Sequence, residues 1–138
     1  MSCINDSLTL AAQYQLTGTT TIEAGAPVLF NSTLKDATPY ITYDSTTGIF
    51  TINQRGNYLL NWEIMLDGAD AGTSQFDVLV NGEVYQTVYV PFTSGELVGS
   101  TTVFVPNNGA TIQIVNSADT AATIADLPVQ ANISITQV

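Results

Sequence analysis

The chain has 138 residues, of which two are basic, Lys35 and Arg55, twelve are acidic and none is histidine, giving a formal net charge of −10. So few cations cannot neutralise nucleic-acid phosphates or draw the chain to an anionic bilayer, so neither nucleic acid nor membrane is expected as a partner. Without histidine, Ser-His-Asp and Cys-His catalysis and imidazole zinc sites are impossible, so no enzyme activity is expected and no catalytic residue is assigned.

The apolar residues alternate, or run in short blocks between turn residues, and no segment carries a helical period. Residues 1–7 read as a frayed N-terminal segment. Leu8–Leu16 is the first predicted strand. Thr17 to Pro27 is loop-like, with glycine and proline as punctuation. Val28-Leu29-Phe30 is a short strand, and Lys35 to Pro39 a turn. Tyr40–Tyr43 and Ile49–Ile52 flank a tight turn at Asp44-Ser45-Thr46-Thr47-Gly48.

Asn57 to Leu66 is the longest strand. Its even positions (Tyr58, Leu60, Trp62, Ile64, Leu66) are all apolar; its odd positions (Leu59, Asn61, Glu63, Met65) are mixed. Asp67 to Gly72 is a loop. Phe76–Val80 and Glu83–Val90 flank Asn81-Gly82, the dipeptide of a type I′ hairpin, in which both central residues need positive φ. Glu96–Val105 and Ala110–Val115 are strands about a turn at Pro106 to Gly109. Asn116 to Pro128 is a polar loop, and Val129–Val138 closes the chain.

About ten short strands at this spacing make an all-β sandwich or barrel. No linker or repeat divides the chain, so residues 1–138 are read as one domain. Only 10% of residues are charged, while threonine occurs twenty times. A neutral, hydroxylated surface suits an extracellular or particle-surface protein. Met1 to Asp6 has neither a basic nor an apolar region, so no signal peptide is read there. Cys3 is the single cysteine; it is a free thiol or an interchain disulfide to another protomer or a neighbouring protein.

Two further sets of residues are candidates. Asp67 and Asp70 share an Asp-Gly loop, which is a solvated turn or a supplier of oxygen ligands to calcium, the one cofactor considered. Tyr85 and Tyr89 are expected on one strand face, opposite Val84, Val88 and Val90. There they either pack across the sheet or form a ligand surface.

Phe30-Asn31, Ile41-Thr42-Tyr43-Asp44, Thr47-Gly48-Ile49-Phe50-Thr51 and Gly56-Asn57-Tyr58-Leu59-Leu60-Asn61-Trp62 follow one another in an order that resembles the globular head of complement's first component. The hairpin Phe76 to Val84 and the closing strand Ala131-Asn132-Ile133-Ser134-Ile135 are similar to the C-terminal domain of collagen-like exosporium glycoproteins of bacterial spores. The resemblance covers roughly residues 25–138. It departs at Leu60, where the complement heads carry an aromatic; no Gly-X-Y stretch precedes the domain; and the calcium ligands of mammalian members have no counterpart by motif.

The resemblance implies a ten-stranded jelly roll of the tumour necrosis factor type, assembled as a homotrimer. It implies a non-catalytic structural head on a spore-like surface, with Leu59, Asn61, Glu63 and Met65 as the trimer interface. Three copies of Glu63 brought together would raise one another's pKa and steady the assembly at mildly acidic pH. Two alternatives stay open: a module recognising glycans, a receptor or other surface-layer proteins, and a viral or phage particle protein.

Overall fold

The computed structural model describes residues 10–68 and 72–138. These residues form strands at Ala11–Leu16 (β1), Thr21–Ile22 (β2), Ser32–Lys35 (β3), Ile41–Asp44 (β4), Ile49–Ile52 (β5), Gly56–Asp67 (β6), Ser74–Val80 (β7), Glu83–Val90 (β8), Ser94–Val105 (β9), Ala110–Asn116 (β10), Ala122–Thr123 (β11) and Ala131–Gln137 (β12). Ten of them build two five-stranded sheets, in the orders β3-β1-β12-β6-β9 and β4-β5-β10-β7-β8, while β2 and β11 form a small ribbon. The result is the all-β jelly-roll sandwich.

β6 organises the core. Tyr58, Leu60, Trp62, Ile64 and Leu66 all point into the sandwich and are buried. Burying each large apolar side chain contributes about 1.5–3 kcal/mol. The Tyr58 hydroxyl donates to the Gln54 carbonyl at 2.8 Å, so its one polar atom is satisfied. At one side of the sandwich, Tyr14 of β1 meets Tyr43 of β4 and Phe50 of β5, with centroids 4.8 and 5.2 Å away, which joins the two sheets. Burial pushes the Tyr43 hydroxyl up to about 12.

The turns follow their residues. Asn81 and Gly82 both have positive φ, 53° and 81°, as a type I′ hairpin requires. Gly48 has φ 74°, and a Cβ there would also sit 2.8 Å from the Val28 carbonyl oxygen. Asp44 opens the same turn by accepting from the Thr46 amide and hydroxyl at 2.9 and 2.6 Å.

Val28–Phe30 is not a strand. Val28 and Phe30 are buried as their alternation suggested. However, the Val28 amide donates to Ile114 in the second sheet, and the Asn31 amide donates to Gln15 in the first. The segment is a crossing between sheets, which buries alternate residues without forming a ladder. The strand lies just beyond it, at β3, and takes in Lys35, where a turn was expected.

The loops are pinned by two buried amides. Asn116 donates to the carbonyls of Ile22 and Thr120 and accepts from the Ala118 amide, at 2.9, 3.0 and 3.0 Å. Gln130 accepts from the Thr19 amide at 2.7 Å and donates to the carbonyls of Thr19 and Ala125 at 2.6 and 2.9 Å. Side chains thus satisfy backbone groups that no ladder reaches.

Candidate functional site

The sandwich has two outer faces. On the first sheet the odd residues of β6 form its central stripe. Leu59 lies between Thr136 of β12 and Thr102 of β9, and Asn61 between Ser134 and Ser100. Glu63 lies between Asn132 and Val98, and Met65 opposite Glu96. The Ser100 hydroxyl donates to Asn61 Oδ1 at 2.7 Å, and Gln13 Nε2 to Asn132 Oδ1 at 3.1 Å. Apolar Leu59, Met65, Val98 and Phe104 are therefore set among polar groups, of which Glu63 and Glu96 are acidic. Val98 and Phe104 are exposed, and Arg55 lies 5.5 Å from the Phe104 ring centroid. Sequence reasoning missed the β9 half of this face, because only the sheet order makes β9 the neighbour of β6.

Glu63 and Glu96 stand diagonally on this stripe. Hydrogen bonding to Glu96 raises the Glu63 pKa most, followed by burial and then by the charge of Glu96. A source of like-charge repulsion at Glu63 therefore exists within a single chain. Asn132 from β12 and Val98 from β9 face it too, so its lateral neighbours bring no cation.

On the second sheet, Tyr85 and Tyr89 do not share a face. The pairing of β7 with β8 shifts between Val78 and Leu79, so that Gln86 lies opposite Val78, Val84 opposite Leu79, and Tyr85 is the extra residue of a β-bulge. Val84, Thr87 and Tyr89 consequently share the outer face. Tyr85 instead reaches the other sheet, donating its hydroxyl to the Thr102 carbonyl at 2.6 Å, while Gln86 Nε2 donates to Ser100 at 2.8 Å. These two side chains cap the free edge of β9. Tyr89 remains open, with 58% of its surface exposed.

Asp77 was not among the expected site residues. It lies on the outer face of β7, between Thr87 of β8 and Val115 of β10, yet it is only 7% exposed. Its Oδ1 is buried without a hydrogen-bond partner, as is the hydroxyl of Ser117. Ser117 continues the β10 ladder by donating its amide to Gln75 at 3.0 Å. Gln75 and Ser117 also line a cleft of about 710 Å³ at the end of the sandwich, together with Asn116 and Asp119. A buried acid on an outer sheet face has no sequence signature, because its burial comes from neighbouring strands.

Asp67 is exposed at the end of β6, opposite Ser94. Asp70 and Cys3, the other half of the calcium pair and the candidate interchain cysteine, lie outside the described residues. Among the described residues, no three His, Cys, Asp or Glu side chains group so as to hold a metal.

The fold and its two faces define a jelly roll of the complement-head and tumour necrosis factor type. No protein-family model matches the chain, and no curated protein matches it. Solved structures do. The globular domain of zebrafish complement 1qA protein is 18% identical, with a TM-score of 0.60 over 93% of this chain and 94% of that one. The Eiger tumour necrosis factor of S. frugiperda is 16% identical, with a TM-score of 0.70 over 94% and 92%. The PRD1 vertex protein P5 is 14% identical, with a TM-score of 0.63 over 94% and 96%.

Proposed function

We propose that this chain is a non-catalytic head that assembles with two copies of itself through the outer face of its first sheet and presents the rest of its surface outward. The observation that carries this is the stripe on β6 and β9. Leu59, Met65, Val98 and Phe104 lie there among asparagine, serine and threonine, with Glu63 and Glu96 as the acids of the stripe, on a chain whose net charge of −10 would otherwise favour self-repulsion. A sheet face on which apolar side chains stand exposed among polar ones is a surface that a contact between copies can cover. The occupant proposed is a second copy of this chain, because the resemblance to trimeric heads implies that arrangement and the complement-head fold supports it.

The setting follows from the same resemblance: an extracellular or particle surface of the exosporium kind, where such a head forms part of an outer layer. Similarity to a vertex protein supports the particle-surface setting and carries the second reading, a viral or phage particle component. Substituting aspartate for Leu59 in the stripe tests the assembly. Light scattering should then read a single-chain mass for Leu59→Asp and a threefold mass for the unaltered chain.

A further inference from the structure

We propose that Asn61, midway along the outer face of the first sheet, fixes the number and register of the copies that join there by donating its side-chain amide across the contact. This rests on the self-assembly proposed above and concerns what limits it to one arrangement.

The first sheet sets its outward side chains in rows that run across the strands. One row is made entirely of hydrogen-bonding groups. Gln13 of β1 is opposite Ser134 of β12, Ser134 is opposite Asn61 of β6, and Asn61 is opposite Ser100 of β9. The row on one side of it holds Thr136, Leu59 and Thr102, and the row on the other holds Gln15, Asn132, Glu63 and Val98. Apolar Leu59 and Val98 are thus separated by a row that carries no charge and no apolar side chain.

Asn61 is the open point of that row. Leu59, Glu63 and Met65 on the same strand are half-buried, whereas Asn61 is exposed. Its Oδ1 accepts from the Ser100 hydroxyl at 2.7 Å, which fixes the orientation of the amide. Among the described residues, its Nδ2 donates to nothing. Water serves that nitrogen on a single chain. A second copy laid over the face removes the water, and a covered donor without an acceptor is penalised. Only arrangements that bring an acceptor to Asn61 escape the penalty. The same row supplies acceptors from the neighbouring copy, because amide and hydroxyl side chains both donate and accept. Gln13, for one, gives its Nε2 to Asn132 at 3.1 Å and keeps its Oε1. The row is therefore complementary to itself, and it adds no charge to the repulsion between two chains of −10 each. Apolar contacts alone permit several registers, including ones that do not close into a ring. A single polar side chain among them selects one register and copy number, while weakening the contact.

The test compares the unaltered full chain with Asn61→Leu and Asn61→Gln by sedimentation velocity and light scattering over a series of dilutions. The unaltered chain and Asn61→Gln, which keeps the amide, should each give a single threefold mass. Asn61→Leu should give a mixture of masses, and its assemblies should survive at least about tenfold further dilution. A single threefold mass for Asn61→Leu would overturn the role of Asn61 and leave the assembly standing. Dissociation of Asn61→Leu to single chains would overturn it too, since the amide would then supply affinity and not selectivity. A single-chain mass for the unaltered chain would overturn the assembly itself.

Discussion

Gly99 of β9 is directly opposite Trp62, and a Cβ at that position would collide with the indole ring. The largest core side chain is thus accommodated by the absence of one across the ladder. Gly99→Ala should destabilise the chain by about 3 kcal/mol, read as a lower denaturation midpoint at constant slope. Pairing it with Trp62→Phe should cost less than the sum of the two. Equal stability of Gly99→Ala would show that the indole can shift. Trp62 was legible as core from its alternation; the need for glycine at 99 was not, because it comes from a cross-strand neighbour. Gln130 was hidden for a similar reason. Its partners Thr19 and Ala125 belong to loops whose approach only the fold defines. Gln130→Ala would orphan three backbone groups and should lower stability by roughly 3 kcal/mol in the same measurement.

β6 was readable from end to end, since a period of two separates its buried and outward residues without help from other strands. The Val28–Phe30 crossing was not, because burial alternates there while the hydrogen bonds change sheets. Tyr85 was assigned to the wrong face because a bulge is fixed by the partner strand's register. The Glu63–Glu96 pair likewise appears only when β9 is laid beside β6. Its consequence has a definite sign. A raised carboxyl pKa means that the folded chain holds its proton more tightly than the unfolded one. The resulting stability is fully present below the ordinary glutamate value of about 4.3 and is lost as pH rises through the raised folded value. Asp36 and Asp44 act oppositely. Thr38 and Thr46 hydrogen bonds lower their pKa values, so their contribution exists above the ordinary aspartate value and disappears in stronger acid. Thermal midpoints should therefore rise as pH falls through the raised Glu63 value and fall again in acid below the ordinary aspartate value of about 3.9. Glu63→Gln should flatten the first of these slopes and leave the second. An unchanged first slope would remove Glu63 as its cause.

The whole molecule is a sandwich whose two outer faces differ in kind. The first carries Leu59, Met65, Val98 and Phe104 among polar side chains along β6 and β9, with Glu63 and Glu96 as an acidic pair. The second carries an unpartnered acid beside an exposed tyrosine. Alternation and turn chemistry were enough to anticipate about ten strands in an all-β sandwich or barrel, because each hairpin signal is local; the jelly roll was implied by the resemblance. Which strands become neighbours, and hence what each face presents, depends on sheet order, and that order is not written in any one segment. The functional proposal rests on the first face being covered by copies of the same chain. Multi-angle light scattering on the purified chain tests it most directly. The expected result is a mass three times the 14.6 kDa of one chain, reduced to that of one chain by Leu59→Asp. A mass of 14.6 kDa for the unaltered chain would contradict it.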